Sequence, residues 1–381
     1  MEKGKTLAIA VVAVVAMLLI AGAAIMLSNG GDGEKITIKL AVGTKSSYEP
    51  YWIADHYGFF EDEGIEVEMM YVSGGGAAAT ALLAGQVDSC LVGASDPAVR
   101  LFEETEDGMI ISSIYQAKSA NVMYFAVRDD ATAGGLDLSE PSTFFVDGQA
   151  GGTQVKYRVG LDTTTGYRTG LITYFYKAWQ DGKLTDAQYQ VATSVRGATD
   201  GVMMHIEFAN QVIAITNGEV AAICGGNTEV VASGNEGISV RQAPSSYATG
   251  SGCVILASGI AIEEKRDGLV KMLRALDKAC AMIEDNDTRE EVAEYCVQFY
   301  GADSWNLASQ LSFFERSYWD ICRVVGIEDL VAFNAYLLGY EDRNYTDRFA
   351  WSFVEDAHDD GSDYIYDPVN RVMLKEMPKA D

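Results

Sequence analysis

"IEVEMMYVSGGGAAATALLAGQVDSCLVG" (Ile65–Gly93) reads as four elements in succession. Apolar and acidic residues alternate from Ile65 to Val72 with the period of a half-buried strand. Three glycines make a turn. Small residues from Ala77 to Leu83 make a helix, and Ser89 to Gly93 is an apolar strand. Strand, turn, helix, strand is the unit of a sheet carrying parallel strands with helices on its faces. Upstream, "KITIKLAVG" (Lys35–Gly43) is a strand and "YEPYWIADHYGFFEDEG" (Tyr48–Gly64) a helix ending near Gly64.

The plan recurs. "AITNGEVAAICGG" (Ala214–Gly226) echoes "ALLAGQVDSCLVG" (Ala81–Gly93), 133 positions later. Each places a glycine where a left-handed helix cap is needed, then a polar residue and a valine. "YRVGLDTTTGYRTGLITYFYKAW" (Tyr157–Trp179) is again strand, polar turn and helix. Two lobes of similar build are expected, with Val127–Pro141 crossing outward and Ala243–Gly252 returning. The expected division is 1–34 anchor and linker, 35–128 first part of lobe one, 129–252 lobe two, and 253–381 the return to lobe one with C-terminal helices. The tail is acidic and turn-rich. Asp359, Asp360 and Asp363 lack calcium-loop spacing, so a solvated loop without metal is expected there.

At 381 residues the chain exceeds one ordinary domain. Its net charge of −27 repels nucleic acid, which is excluded as a partner. Residues Leu7–Leu27 form an uncharged run of 21, enough to span about 30 Å of hydrocarbon as a helix. Lys3 and Lys5 before it, and "SNGGDGE" after it, place the N-terminus inside and the body outside. A cleaved signal peptide is the rival reading, with "AGA" (Ala21–Ala23) as its cleavage site. The apolar run continues past that site to Leu27, which favours an uncleaved anchor. Six cysteines form no C-x-x-C pair, which argues against a zinc ribbon or a thioredoxin-like site. Cys90 and Cys224 fall in strand-like runs, and Cys280, Cys296 and Cys322 in helical stretches where one disulfide is open.

The glycine turn is not a Walker A loop, because Ala77 and Ala78 stand where Lys and Ser/Thr are required. Gly74, Gly76 and Ala79 do spell a dinucleotide fingerprint, with Asp96 after the next strand. The unit is the second strand–helix pair, however, and the body is expected outside the cell, so no cofactor is assigned. The histidines, His56, His205 and His358, form no triad or zinc pattern with neighbouring residues. What remains is a ligand site at helix starts beyond the carboxyl ends of strands, where free amides and hydroxyls bind acceptors or anions. The candidate residues are Thr44, Ser46, Ser47, Tyr48 and Trp52 in the first turn, Ser73, Gly74, Gly75 and Gly76 in the second, and Ala94 and Ser95 after the third strand. Thr164, Thr165, Gly166, Arg168 and Asn227 face them from lobe two. Ser73 is the expected cap of its helix.

The run from Tyr51 to Pro97 closely resembles the solute-binding proteins of ABC importers, in the nitrate/sulfonate/taurine and thiamine-pyrimidine branch. The resemblance is carried by Gly58–Phe60, by Glu61–Val67, by Ser73–Gly76 and by Ala81–Asp88. It continues more loosely to about Val325, through "NGEVAAI" and "VILASGIAIEEKRDGLVKMLRALDKA". It implies an α/β, two-lobed type II periplasmic-binding-protein fold with parallel-sheet lobes and a hinge, here with an N-terminal transmembrane helix. It also implies capture of a small, anionic solute without chemistry, and delivery to an ABC permease and ATPase by a monomeric body. Two alternatives on the same fold are a sensing or adhesion ectodomain and a thiamine-pyrimidine synthase-like enzyme. Three departures stand out: the membrane helix, with Ala23 where a lipidated Cys would sit, an added segment at 142–156, and the acidic tail.

Overall fold

Two glycines end two helices in the same way. Gly85 (φ 66°) and Gly218 (φ 79°) take the left-handed conformation. Their amides bond back to Leu82 and Ile215, and the next amides, of Gln86 and Glu219, bond to Ala81 and Ala214. A side chain at either glycine would add about 1–2 kcal/mol of backbone strain. Each cap turns the chain into a buried strand, one in each of two sheets.

The computed structural model describes residues 35–44, 47–93, 96–117, 123–163, 166–194, 201–207, 210–225, 232, 235–243, 252–300, 305–315, 317–340, 343–367 and 372–377. Both sheets lie in the compact unit Thr37–Asp381, and Met1–Ile36 is a separate unit. The first sheet contains β1 (Ile36–Gly43), β2 (Ile65–Val72), β3 (Ser89–Gly93), β4 (Met109–Ala117), β10 (Gly252–Ala257), β11 (Ser317–Val324), β12 (Ile365–Asp367) and β13 (Val372–Leu374). Their order is β13-β12-β11-β4-β10-β3-β1-β2. The second contains β5 (Tyr124–Arg128), β6 (Val159–Leu161), β7 (Met203–His205), β8 (Ala222–Cys224) and β9 (Ile238–Gln242), in the order β7-β6-β8-β5-β9.

The sheets are mixed, not parallel as expected. β1 pairs with β3 in parallel, but β10 returns from the second sheet and inserts antiparallel between β3 and β4. In the second sheet β6 is parallel to β7 and β8, while β5 runs antiparallel to both β8 and β9. The cause is the crossing itself, because a strand delivered from the other lobe enters from the opposite end. β5 starts at Tyr124 in the second sheet, ahead of the boundary expected at residue 128. The expected helix at Tyr48–Gly64 is two helices, Glu49–His56 and Phe59–Asp62, parted by Gly58 at φ 75°.

Asp88, the acid of the "GQVD" run, ties the first sheet to the returning chain. Its Oδ2 accepts from the Lys39 amide (2.8 Å) and from Lys265 Nζ (2.7 Å), and Lys265 also donates to the Thr37 carbonyl. The 142–156 segment is packed rather than appended. Phe144 and Phe145 are fully inside the second core, and Phe145 bridges to Val155.

Asp359, Asp360 and Asp363 lie exposed on a loop, as expected, but the tail on either side of them is built into the fold. β12 pairs in parallel with β11, which itself pairs with β4, and β13 completes the edge. Cys322 accordingly lies in a strand, and all six cysteines are free thiols. Asp359 is ion-paired to Arg274 at 2.5 Å. Arg348 is buried and clasps the body. Its guanidinium donates to the carbonyls of Gly108 (3.0 Å), Phe102 (3.2 Å) and Thr105 (2.9 Å), and it stacks over the Phe102 ring. The expected membrane helix at 7–27 falls outside the described residues. Among the described residues no helix is long and apolar enough to cross a membrane.

Arg348→Met keeps the stem and removes the donors, leaving buried carbonyls without partners at about 1–3 kcal/mol each. The expected result is a cooperative loss of about 3 kcal/mol or more in urea unfolding. A change below 0.5 kcal/mol would mean that the tail does not clasp the body.

Candidate functional site

Helix Glu49–His56 begins six residues after Gly43, where β1 ends. The Tyr48 ring lies against that end, and a Cβ on Gly43 would sit 2.5 Å from its Cε2. Tyr48 Oη donates to the Leu91 carbonyl at 2.8 Å, so the ring joins the carboxyl ends of β1 and β3. Ser47, at φ 85°, is the one non-glycine residue of positive φ among the described residues. Such strain persists where surrounding contacts enforce it and concentrates at ligand sites.

Two residues on, Glu49 is fully buried. Its Oε1 accepts from Tyr300 Oη and from Gln310 Nε2 (3.2 Å), and Gln310 Oε1 accepts from Trp305 Nε1 (2.8 Å). Burial pushes the Glu49 carboxyl up to about 7, against the hydrogen bonds of Tyr300, of Gln310 and of the nearby amides, which favour the ion. The Cys253 thiol, at the amino end of β10 and in register with Gly93, is pushed up to about 11 by burial, with the Glu49 charge adding to the rise. Glu49 Oε2, Tyr51 Oη and Trp52 Nε1 are buried with no hydrogen-bond partner among the described residues. Folded interiors satisfy nearly all such atoms. A polar cluster therefore sits beneath the first turn, at the carboxyl ends of β1 and β3.

Sequence reasoning missed Glu49, Tyr300 and Gln310. A glutamate in the first turn of a helix reads as ordinary dipole compensation. Tyr48 and Trp52, both expected at the ligand, are buried. Trp52 stacks on Phe299 at 4.4 Å and meets Tyr300 edge-on. Thr44 is exposed and Ser47 half-buried.

The glycine turn leads into helix Gly75–Leu83. Its cap is Gly74 (φ 156°, ψ −172°), with no side-chain hydrogen bond, so Ser73 is not the cap expected of it. That backbone combination is open essentially to glycine alone. Ser73 itself is exposed. A Cβ on Gly75 would touch Val92 Cα at 3.5 Å, so its missing side chain faces β3 and lets the helix seat closely.

In the second lobe, the turn after β6 carries Thr163, whose Oγ1 lies 2.9 Å from His205 Nδ1 at the end of β7. Helix Gly166–Gln180 follows and holds Arg168, half-buried. It packs against helix Asp96–Glu104 of the first lobe, so the helices after β3 and β6 meet across the lobes. Ser46, Ala94, Ser95, Thr164, Thr165 and Asn227 lie outside the described residues, and Gly166 opens its helix. A cleft of about 320 Å³, lined by Arg128, Lys156, Arg158 and Glu219 among others, lies at the amino ends of β6 and β8. It is thus at the end of the second sheet opposite Thr163 and His205.

A family model described as the NMT1-like family matches residues 31–297, more than half of the chain. No curated protein matches by sequence. Among solved structures, the chain is similar to the alkanesulfonate-binding protein SsuA of Xanthomonas axonopodis pv. citri bound to MOPS. That match has a TM-score of 0.59 and 11% identity, and covers 88% of this chain and 99% of that one. The periplasmic nitrate-binding protein NrtA of Synechocystis PCC 6803 matches at TM-score 0.59 and 12% identity, covering 86% and 89%. The periplasmic aliphatic sulphonate-binding protein SsuA of Escherichia coli matches at TM-score 0.58 and 14% identity, covering 83% and 96%. At these identities the likeness establishes the two-sheet periplasmic-binding-protein fold.

Glu49 predicts a signed pH effect. The native carboxyl keeps its proton to about pH 7, whereas an unfolded glutamate releases it near 4.3. Between those values the native state holds the extra proton, so stability falls as pH rises and levels off above 7. Glu49→Gln removes that contribution. Melting of wild type and Glu49→Gln across pH 4–8 should show the wild type losing ground to the variant over this window. Parallel curves would place the Glu49 proton elsewhere.

Proposed function

Because the chain belongs to the NMT1-like family, we propose that it is the extracytoplasmic solute-binding component of an ABC importer. In this reading the chain captures a small anionic solute of the sulfonate, nitrate or taurine kind and hands it to a permease, without chemistry. The observation that carries the reading is the family match together with a fold shared with sulfonate- and nitrate-binding proteins. Helix starts after β2, β3 and β6 supply the amides an oxyanion needs. The proposed contacts are Thr44, Ser73–Gly76, Ala94 and Ser95 from the first lobe, and Thr164–Gly166, Arg168 and Asn227 from the second. Residues 7–27 are the proposed anchor, holding the body outside the membrane. Lobe two is proposed to begin with β5 and to end before β10.

Glu49 bears on the ligand. An ionised carboxylate beneath the turn opposes an anion, and a protonated one does not. Affinity for an anionic solute should therefore fall as pH rises through 7.

The decisive measurement is titration calorimetry of the full-length protein with nitrate, taurine and short alkanesulfonates. A ligand found in this way should bind at least tenfold more weakly, about 1.4 kcal/mol, to Ser73→Trp, with an unchanged melting temperature. Gly75 is the wrong place for that probe, since bulk there presses on Val92. Absence of binding across the panel, or unaltered affinity in Ser73→Trp, would sink the solute class or the assigned turn respectively.

A further inference from the structure

A second constellation, independent of the solute-binding reading, joins one residue of the matched region, Asp277, to two beyond it, Asp320 and His358. Helix Arg266–Glu284 presents Asp277, β11 presents Asp320, and the end of helix Ser352–Ala357 presents His358. One oxygen of each aspartate and one nitrogen of His358 lie within 4.8 Å of one another. His358 Nε2 is 3.7 Å from Asp277 Oδ1 and 3.9 Å from Asp320 Oδ1. Both distances exceed a good hydrogen bond. The imidazole is 4% exposed, and the two carboxylates are the ion-pair partners of its Nε2.

The other ring nitrogen fixes what Nε2 is. His358 Nδ1 lies 3.0 Å from the Val354 carbonyl, which can only accept, so Nδ1 carries a proton. In the neutral ring, the form that binds a metal, Nε2 then holds the lone pair, and it lies within 4 Å of both carboxylates. A backbone carbonyl holding the far nitrogen is the support that metal-binding histidines use. Two ligands bound about 2.1 Å from a tetrahedral ion sit roughly 3.4 Å apart. The two His358 spacings need to close by only a few tenths of an ångström, and all three ligand atoms already lie within 4.8 Å of one another.

We propose that Asp277, Asp320 and His358 form a binding site for a divalent transition metal of the zinc class, which staples the tail to the body. One imidazole and two carboxylates suit zinc, manganese and cobalt, and leave a position for water. Arg274 and Arg266 brace the same segment. Arg274 pairs with Asp359 and Arg266 with Asp356, so His358 is flanked by two held aspartates that do not join the cluster. Asp277 is 40% exposed, which gives an ion a way in. The three ligands are 43 and 38 residues apart in the chain, too far for a spacing motif.

The test is calorimetry of the metal-free full-length protein with zinc chloride, with cobalt(II) absorbance as a second readout. One zinc per chain is expected, with a rise in melting temperature and a cobalt visible band of an imidazole–carboxylate site. Asp277→Asn and His358→Gln should each lose at least tenfold in zinc affinity and lose the cobalt band. Asp277→Asn is isosteric and partly exposed, so it keeps the test sound should His358→Gln misfold. Equal zinc uptake by wild type and Asp277→Asn, or no stoichiometric uptake by wild type, overturns the site.

Discussion

The antiparallel insertion of β10 between β3 and β4 is the constraint on which the rest of the molecule depends. β10 bonds to both neighbours along its length, Cys253 opposite Gly93 and Ala257 opposite Ser89. It forces the chain to leave the first sheet, build a second, and come back from the other end. The return sets Cys253 beside the Glu49 cluster at the carboxyl ends of β1 and β3. It also delivers Lys265 to Asp88, so one crossing fixes both the floor of the candidate site and the register of the sheet.

What was legible in the sequence was local. The glycine caps at 85 and 218 and the doubled helix–strand plan rest on contacts a few residues apart, and the structure reproduces them bond for bond. Strand direction was not legible, because it is decided by where a crossing re-enters a sheet. Glu49 was not legible either, since its meaning depends on Tyr300 and Gln310, 251 and 261 residues away. Trp52 reads as a candidate at the ligand, and its stacking on Phe299, 247 residues away, was not legible. The exposed loop at Asp359–Asp363 was legible, but β12 and β13 after it were not, being three residues each and too short to show a period.

The charge of the chain and the charge at the site are separate matters. Most of the 27 excess negative charges are screened within about 10 Å in ordinary salt. Glu49 is not screened, because it is buried. A single proton there outweighs many distant carboxylates. The lobes are also joined away from the crossings. Phe333, on helix Ile327–Leu337, meets the Tyr176 ring of the second lobe at 5.8 Å. A hinge motion of the kind found in two-lobed binders must slide or part that ring pair.

β11 covers one edge of β4. The matched family region ends at residue 297, before β11 begins. A chain cut there would leave β4 with a bare row of amides and carbonyls beside an apolar face. Such an edge recruits strands from other molecules. β11 is thereby what closes that edge, and β12 and β13 of the tail carry the sheet's border outward from it.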